Sequence, residues 1–344
     1  MKRNFVFIAV ITALVLGGIS CTKEKLNLYN WSYYTPESVI KKFEQEYNVR
    51  VVIDEFASNE EMFTKLSAGG AGYDIVFPSH DFTAIMIRQG MLAGIDKSLL
   101  PNLKNIDPAI FKKMTYDPNM EYSVPYFWGA PGIVVNKAKV PDYEESWNIF
   151  SRSDLKGRMT MLDDMREVIG EALNHLGYSV NSTNPHEIEA ARDFINNQWK
   201  PNLVKFDSDT FGKGYANGEF WVVHAYAEVV FEEIMDDEQL LEDTVFFIPP
   251  GSTGYIDNMC ILKSAKNVEL AHKFINFIHR PEIYAEFCND FGFPATVNVP
   301  ARQFIEGPTV YDVEDIIDME LKYDVGEALE YYADAWFKYI IVGD

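Results

Sequence analysis

Acidic and aromatic side chains form the motifs most capable of chemistry in this 344-residue sequence. In the segment 163–168, Asp164 and Glu167 are three residues apart, where a predicted strand meets a predicted helix. Both carboxylates can therefore reach one face of the first helical turn. The same spacing is also typical of helix capping, because acids are favoured at a helix N-terminus. The pair is a candidate for binding a cation or for capping the helix.

A second motif combines the aromatic ring of Tyr255 with the carboxylate of Asp257. Side chains repeat every second residue in a strand, so both groups are expected on one face of a predicted strand. An edge-strand turn after Gly254 is the alternative interpretation. On the first interpretation, the motif adds a further carboxylate beside a ring.

Aromatic and polar residues also follow the first and third predicted strands, at 29–34 and 78–82. Ligands of open α/β sheets bind beyond the carboxyl ends of the strands, so both segments are expected near a site. Packing of buried rings explains the first segment equally well, and helix capping explains Ser79 and Asp81 in the second. Structural and functional interpretations both stay open for these two segments.

Carboxylates combined with aromatic rings are typical of a pocket for an organic cation. An ammonium group taken from water needs a carboxylate and hydrogen bonds, since desolvation otherwise exceeds the electrostatic gain. Ring faces attract the cation by about 0.5–2 kcal/mol each, and they can also cover methylene groups. The motifs therefore favour a cationic aliphatic ligand.

Two other functions compete with cation binding. Tyr331 and Tyr332 could bind ferric iron, although an amphipathic helix explains this pair more simply. Asp164 and Glu167 could serve a secreted hydrolase, but they lie on one helical turn, whereas a glycosidase needs acids on opposite sides of a bond. The sequence contains no G-x-S-x-G motif, no nucleotide-binding glycine loop and no H-E-x-x-H motif, so it predicts no enzyme.

The formal charge of the chain is −22, which repels nucleic acid and anionic lipid and attracts cations. The hydrophobic and charged fractions, 47% and 24%, are those of a globular protein. Six histidines are scattered without ligand spacing and no C-x-x-C occurs, so neither a metal site nor a cofactor is expected. Cys260, in a strand-like run, and Cys288, in a helical pattern, are expected to be free and buried.

The N-terminus has the features of a secretory signal, which we assign to residues 1–21. Basic residues precede an apolar run at 5–16, and small residues then lead to Cys21. The run is too short for a membrane span. A cysteine in this place resembles a bacterial lipoprotein signal, in which it receives lipid, although Gly18 stands where leucine is usual. The chain is therefore expected outside the cytoplasmic membrane, lipid-anchored or simply cleaved.

Strand and helix patterns alternate along the rest of the chain, and the βαβαβ start predicts a parallel sheet covered by helices. The predicted strands are 26–29, 49–56, 74–77, 159–162, 221–224, 245–248 and 258–262. The predicted helices are 36–47, 58–66, one through 85–87, 165–176, 185–198, 268–278, 281–291, 313–321 and 326–341. This α/β pattern has no linker, which predicts two domains with several chain crossings and a cleft at the crossings.

Several segments, taken in order, resemble the spermidine/putrescine-binding periplasmic receptors of ABC transporters over essentially the whole mature chain. They are YNW at 29–31, AGYDIVFPS at 71–79, YSVPYFWG at 122–129, DDMREV at 163–168, INF at 275–277 with RP at 280–281, GFP at 292–294 and DVG at 324–326. The resemblance implies a periplasmic-binding-protein fold, in which two lobes of helix-flanked sheets, joined by crossing strands, close on a polyamine.

The resemblance also implies the ligand-binding residues. In the family, aromatic residues cover the carbon chain of the ligand, and acidic and polar residues hold its amines. The matching aromatic residues are Trp31, Tyr34, Tyr226, Tyr255 and Phe293. The matching acidic and polar residues are Ser79, Asp81, Asp164, Glu167 and Asp257.

Some of the matching positions depart from the family pattern. Tyr226 and Tyr255 stand in place of tryptophans, and Phe293 stands in place of a tyrosine. Lys322 aligns with a glutamine of the family site, and a lysine there would compete with a bound amine unless it points away. The class of ligand is unaffected by these changes, but the preference between putrescine and spermidine stays open.

The sequence thus predicts a monomeric, non-catalytic polyamine receptor that delivers its ligand to an ABC transporter permease. Its lipid anchor would be Cys21, at the outer face of the cytoplasmic membrane. Lobe 1 is expected to comprise 22–128 and 256–301, and lobe 2 is expected to comprise 129–255 and 302–344.

Overall fold

The computed structural model describes residues 23–32, 34–70 and 72–342. The predicted signal segment and Cys21 lie outside these ranges. Strands and helices alternate along the described chain and form two mixed sheets flanked by helices, which confirms the predicted α/β architecture.

The strands assemble into two sheets. In chain order they are β1 (Lys25–Trp31), β2 (Arg50–Phe56), β3 (Ile75–Val76), β4 (Ser123–Gly129), β5 (Gly132–Asn136), β6 (Met159–Met161), β7 (Leu203–Phe206), β8 (Val222–Ala225), β9 (Thr244–Phe247), β10 (Thr253–Ile261) and β11 (Glu320–Leu321). The first sheet has the order β11–β10–β3–β1–β2, with β4 also pairing with β10. The second sheet has the order β7–β6–β8–β5–β9.

Helices cover both sheets. They are α1 (Glu37–Tyr47), α2 (Asn59–Ser67), α3 (His80–Arg88), α4 (Pro108–Phe111), α5 (Met165–His175), α6 (Pro185–Phe194), α7 (Phe211–Ala216), α8 (Ala227–Ile234), α9 (Glu238–Asp243), α10 (Val268–Ile278), α11 (Pro281–Phe291), α12 (Val313–Ile316) and α13 (Leu329–Ala333). A π-helical turn at Ile195–Trp199 extends α6, and one at Asp334–Ile341 extends α13. None of the helices in the described ranges is long and apolar enough to cross a membrane.

The parallel strands of each sheet end at a common edge. Strand β1 pairs in parallel with both β2 and β3, with Leu28 opposite Ile53 and Ile75, which confirms the predicted parallel start. In the second sheet, β6 is parallel to both β7 and β8. The loops that follow β1, β3, β6 and β8 lead to α1, α3, α5 and α8, so side chains at these strand ends are placed where ligands of such sheets bind.

The chain crosses between the sheets next to these edges. It passes from β4 to β5 through Ala130 and Pro131, and it returns from β9 to β10 through residues 248–252. After α11 the chain reaches β11, beside β10, and then the C-terminal helices, whose Tyr332 and Trp336 pack with the core of the second sheet. The lobe boundaries given above stay a prediction.

The predicted helix at 313–321 is wrong in its second half. Helix α12 ends at Ile316, and Glu320–Leu321 instead pairs in parallel with Thr253 and Gly254 as β11. Backbone pairing with β10 overrides the helical pattern there, since a sequence pattern does not register a partner strand far away in the chain. The pairing also places Lys322, the next residue, beside Glu167 of α5.

Strands β4, β5 and β7 were not predicted. Every residue of β4 is buried, so the strand shows no alternation of polar and apolar residues. Pro125 within it also argues against a central strand, and the pairing with β10 shifts register beside this proline. The irregularity explains how a proline is tolerated inside the sheet.

Both cysteines of the described chain are free and buried, as predicted. Cys260 lies in β10 and Cys288 in α11. Burial raises the pKa of each thiol, which keeps both groups protonated and unreactive.

Candidate ligand-binding site

Asp257 lies at one end of the candidate site, in the middle of β10. The residue is 4% exposed. The hydroxyl of Ser79 donates to Oδ1 over 2.6 Å, and the phenol of Tyr34 donates to Oδ2 over 2.7 Å. The Asn59 amide holds Ser79 in turn, donating to its Oγ over 3.1 Å. The two hydroxyl donors fix the orientation of this carboxylate while leaving its charge uncompensated.

The structure decides between the interpretations given above for Ser79 and Tyr255. Ser79 precedes α3, but its hydroxyl makes no capping bond and turns to Asp257 instead. The edge-strand alternative for Tyr255 is wrong, because this residue lies within the continuous strand β10, which pairs with β4 on one side and bridges from Asp257 to Ser79 on the other. Tyr255 and Asp257 therefore share one face of a fully buried strand.

Burial sets the protonation of Asp257. It raises the pKa of the carboxyl to about 6, against the hydrogen bonds from Ser79 and Tyr34, which lower it. Asp81 raises this pKa further through its charge. A carboxylate that is costly to ionise when the site is empty gains most from a cation that enters beside it.

Glu167 forms the other end of the site, in the first turn of α5. Asp164 caps this helix, since its Oδ1 accepts the backbone N–H groups of Arg166 and Glu167, each over 2.9 Å. The capping interpretation therefore holds for Asp164. The Glu167 carboxylate turns away from the cap and accepts the hydroxyl of Tyr226 over 3.2 Å and the hydroxyl of Thr253.

Lys322 points into the site rather than away from it. Its ammonium forms a buried ion pair with Glu167, and the residue is 9% exposed. Burial alone would lower the pKa of Lys322, but the charges of Glu167, Asp164 and Asp81 raise it above its ordinary value. Lys322 is therefore a fixed positive charge in the cleft.

His80 ties the backbone of Lys322 to the first sheet. Its Nδ1 accepts the N–H of Ile256 over 3.3 Å, and its Nε2 contacts the carbonyl oxygen of Lys322. This geometry assigns the proton to Nε2, which then donates to that carbonyl. Burial lowers the pKa of His80, so the ring is neutral at pH 7 and acts as a structural link.

Two tyrosine rings lie between the carboxylate ends. The rings of Tyr226 and Tyr255 meet edge to face, with centroids 5.7 Å apart. Tyr226 directly follows β8, and Tyr255 lies two residues before Asp257. Contacts run from Glu167 through Tyr226 to Tyr255, and Tyr255 shares a strand face with Asp257, so the site has two acidic ends and an aromatic middle.

Gly129, at the end of β4, makes room for Tyr255. A Cβ at this position would lie 2.7 Å from the Tyr255 hydroxyl oxygen and 2.8 Å from Cε1 of Phe127. We expect Gly129→Ala to displace the Tyr255 ring and to weaken ligand binding by about 1–2 kcal/mol, since overpacking a well-packed site costs about that much. Titration calorimetry measures the change. The double variant Gly129→Ala/Tyr255→Ala removes the clash with Tyr255. If the affinity losses of the two single variants simply added up in the double variant, displacement of Tyr255 would not explain the effect of Gly129→Ala.

Other predicted site residues lie farther from this chain of contacts. The ring of Trp31 packs on Phe56 at 4.5 Å, and its buried Nε1–H has no acceptor among the described residues. Phe293 stacks on Phe127, also at 4.5 Å, and so supports the neighbour of Tyr255 rather than Tyr255 directly. The Asp81 carboxylate accepts the N–H of Phe82 and acts on the site through its charge.

Sequence reasoning missed three residues of the site. Thr253 donates its hydroxyl to Glu167, the same hydroxyl oxygen lies 3.1 Å from Oε1 of Glu171, and the backbone N–H of Thr253 donates to Glu171 over 2.9 Å. Burial, with the nearby charge of Glu167, raises the pKa of Glu171 well above its ordinary value. Glu171 follows Glu167 by one helical turn, so the i,i+4 spacing could have indicated it. Glu228 carried no such signal, because α8 was not predicted.

A solvent-open groove with a volume of about 220 Å³ lies between α8 and the end of α11. Glu228, Glu232, Glu233, Val229 and Phe291 line it. Burial raises the pKa of Glu228 to about 7, and the charge of Asp257 acts in the same direction. The acidic groove therefore lies close to the Asp257 end of the site.

Tyr331 and Tyr332 do not form an iron site. Tyr331 is 48% exposed, whereas Tyr332 is buried and donates its hydroxyl to the carbonyl oxygens of Val180 and Ser182. The two phenols point to different surroundings on the second lobe. The ferric-iron alternative is therefore wrong.

Two α/β lobes, crossing strands and a buried acidic and aromatic site between the sheets define the class of extracellular solute-binding receptors. The family model described as "Bacterial extracellular solute-binding protein" matches residues 38–308. The chain belongs to this family, and within it to the spermidine/putrescine-binding periplasmic proteins, as the relatives below establish.

The relatives cover nearly the whole chain. A spermidine/putrescine-binding periplasmic protein of Escherichia coli is 36% identical over 98% of this chain and 99% of its own length. A putrescine/cadaverine-binding protein of Pseudomonas aeruginosa is 33% identical over 86% of each chain. The crystal structure of the TpPotD lipoprotein of Treponema pallidum is 51% identical, with a TM-score of 0.88 over 91% of this chain and 98% of that one.

Proposed function

We propose that this protein captures an aliphatic polyamine between its two lobes and delivers it to the permease of an ABC transporter. The observation that carries the proposal is the state of Asp257. This carboxylate is buried and oriented by two hydroxyl groups. Within the described ranges, no lysine, arginine or histidine forms an ion pair with it. A ligand ammonium would supply the missing charge.

The aromatic middle of the site suits the carbon chain of such a ligand. The rings of Tyr226 and Tyr255 pack edge to face between the acidic ends, and aromatic ring faces attract ammonium groups by about 0.5–2 kcal/mol each. A polyamine alternates charged and apolar segments in the same order. The names of the relatives, which bind spermidine, putrescine or cadaverine, support this ligand class.

Lobe closure is the mechanism that we propose. Asp257 lies in the first sheet and Glu167 at the start of α5 on the second, so a bridging ligand binds the closed form better and shifts the protein toward it. The closed receptor would act as a non-catalytic monomer outside the cytoplasmic membrane. The predicted signal and lipid on Cys21 would tether it beside its permease, in keeping with the lipoprotein from Treponema pallidum.

Calorimetric titration of the chain without residues 1–21 tests the ligand class. Putrescine, cadaverine and spermidine are the ligands, and 1-aminobutane, which has a single ammonium group, is the matched control. We expect measurable binding of at least one polyamine and much weaker binding of the monoamine. Equal binding of the monoamine, or no binding of any polyamine, contradicts the proposed function.

Polyamine affinity is expected to fall as the pH falls. The pKa of Asp257 is raised to about 6 in the empty protein, and a bound ammonium would lower it, so binding below that pH must release a proton. The dissociation constant should therefore rise about tenfold per pH unit below pH 6, while ligand amines stay protonated. Titrations at pH 7.5, 6 and 5, in buffers of different ionisation enthalpy, measure affinity and proton release. Constant affinity over this range would exclude the role of Asp257.

A further inference from the structure

One end of the cleft already holds an ammonium group before any ligand enters. Nζ of Lys322 pairs with Oε1 of Glu167, and the two side chains are 11% and 1% exposed. The charges of Asp164 and Asp81 act on the same ammonium. Glu167 is therefore not a free carboxylate that waits for a ligand.

Two contacts hold Lys322 in this place. Strand β11, directly before it, pairs with the start of β10, and His80 contacts its carbonyl oxygen. A ligand amine that displaced Nζ would leave a buried ammonium without its carboxylate, which is strongly unfavourable. We therefore expect Lys322 to stay paired with Glu167 when the ligand binds.

The formal charges of the site set the number of ligand ammonium groups that it can balance. Asp81, Asp164, Glu167 and Asp257 are each counted as negative, and Lys322 is positive. Glu171 and Glu228 are not counted, because burial raises the pKa of each and so favours the neutral form. With the lysine in place, the two charges of a diamine leave one carboxylate charge uncompensated. Without the lysine, the three charges of a triamine would also leave one carboxylate charge uncompensated. Lys322 therefore stands in for one amine of the ligand.

We propose that Lys322 is a specificity determinant: a resident ammonium group that makes the cleft select diamines over triamines. The inference rests on the proposed function and names the ligand within its class. A diamine can place one amine at Asp257 and the other near Asp81 and Asp164. The third amine of a triamine would meet Glu167 already paired and the like charge of Lys322 beside it.

Calorimetry with putrescine, a diamine, and spermidine, a triamine, tests this role. We expect the wild-type protein to bind putrescine about tenfold or more tightly than spermidine, since like charges at close range discriminate strongly. Lys322→Gln should bind spermidine about tenfold more tightly than the wild type does, with a much smaller change for putrescine. Lys156→Gln removes an exposed lysine far along the chain and controls for net charge; it should match the wild type.

The wild-type preference keeps the test decisive if Lys322→Gln alone folds poorly, because it needs no variant. The double variant Lys322→Gln/Glu167→Gln shows whether the gain for spermidine depends on Glu167, since it leaves no unpaired charge and removes the carboxylate that a third amine would use. We therefore expect it to retain putrescine binding and to lose the gain for spermidine. An unchanged ratio of putrescine to spermidine affinity in Lys322→Gln, or equal affinity of the wild type for the two ligands, overturns the specificity role and leaves the proposed function standing. No polyamine binding to the wild type overturns the proposed function, and this inference with it.

Discussion

Asp257→Asn is expected to weaken putrescine binding by about 2–5 kcal/mol, which is about 30-fold to several thousandfold, because it removes the carboxylate from a buried charge pair. Asparagine has nearly the same shape as aspartate. One of the hydroxyls of Tyr34 and Ser79 can still donate to its oxygen, and the other can accept from its amide N–H. The loss should therefore come from charge rather than from packing. Calorimetric titration at pH 7.5 measures it.

The same substitution, Asp257→Asn, should weaken ligand binding without lowering the free energy of unfolding. The pKa of Asp257 is raised from 3.8 to about 6, so its ionised form destabilises the empty folded protein above that pH. The free energy of unfolding of Asp257→Asn should therefore be equal to or higher than that of the wild type at pH 7.5. Asp236→Asn, an exposed aspartate, controls for charge and should change neither quantity. If Asp257→Asn bound putrescine as tightly as the wild type does, the Asp257 carboxylate would not be part of the ligand-binding site.

Glu167→Gln is expected to lower the free energy of unfolding of the empty protein by about 3–5 kcal/mol, because it leaves the Lys322 ammonium buried without its partner. The amide oxygen can keep the hydrogen bond from Tyr226, and Thr253, which donates to the other carboxylate oxygen, can donate to Glu171 instead. The missing charge is therefore the main change. Urea unfolding followed by tryptophan fluorescence measures the effect.

The double variant Glu167→Gln/Lys322→Gln separates charge from shape. Replacing both partners of a buried ion pair by neutral groups costs far less than removing one, so most of the lost stability should return. If the double variant were as unstable as the sum of the single variants, Glu167 and Lys322 would not be coupled. The buried ion pair would then have no part in holding β11 against α5.

The sequence predicts elements best where a local pattern alone determines them. Helices α10 and α11 have the predicted limits, because each carries a regular apolar face, and α11 ends at Gly292 in the left-handed conformation that glycine favours. The predictions fail where a distant strand decides the structure. Strand β4 is buried on both faces, and β11 forms only because β10 lies beside it.

The candidate site shows the same division. Carboxylates and rings could be recognised along the chain, and the positions after β3, β6 and β8 follow from the topology of such sheets. The partner that each side chain contacts in the folded protein could not be predicted from the sequence. Ser79 turns from its helix to Asp257, and Lys322 reaches a carboxylate 155 residues earlier in the chain. Both choices are set by charges that only the folded chain brings together.

The crossing strands have a consequence for when the protein can first hold its ligand. Tyr34 and Asp257, which share a hydrogen bond, are 223 residues apart in sequence, and His80 and Lys322 are 242 residues apart. A nascent or unfolded chain therefore has no site, and contacts of such long range form late and slowly in folding. A receptor that is exported unfolded would leave the cytoplasmic polyamine pool behind and would assemble its site only at its place of work.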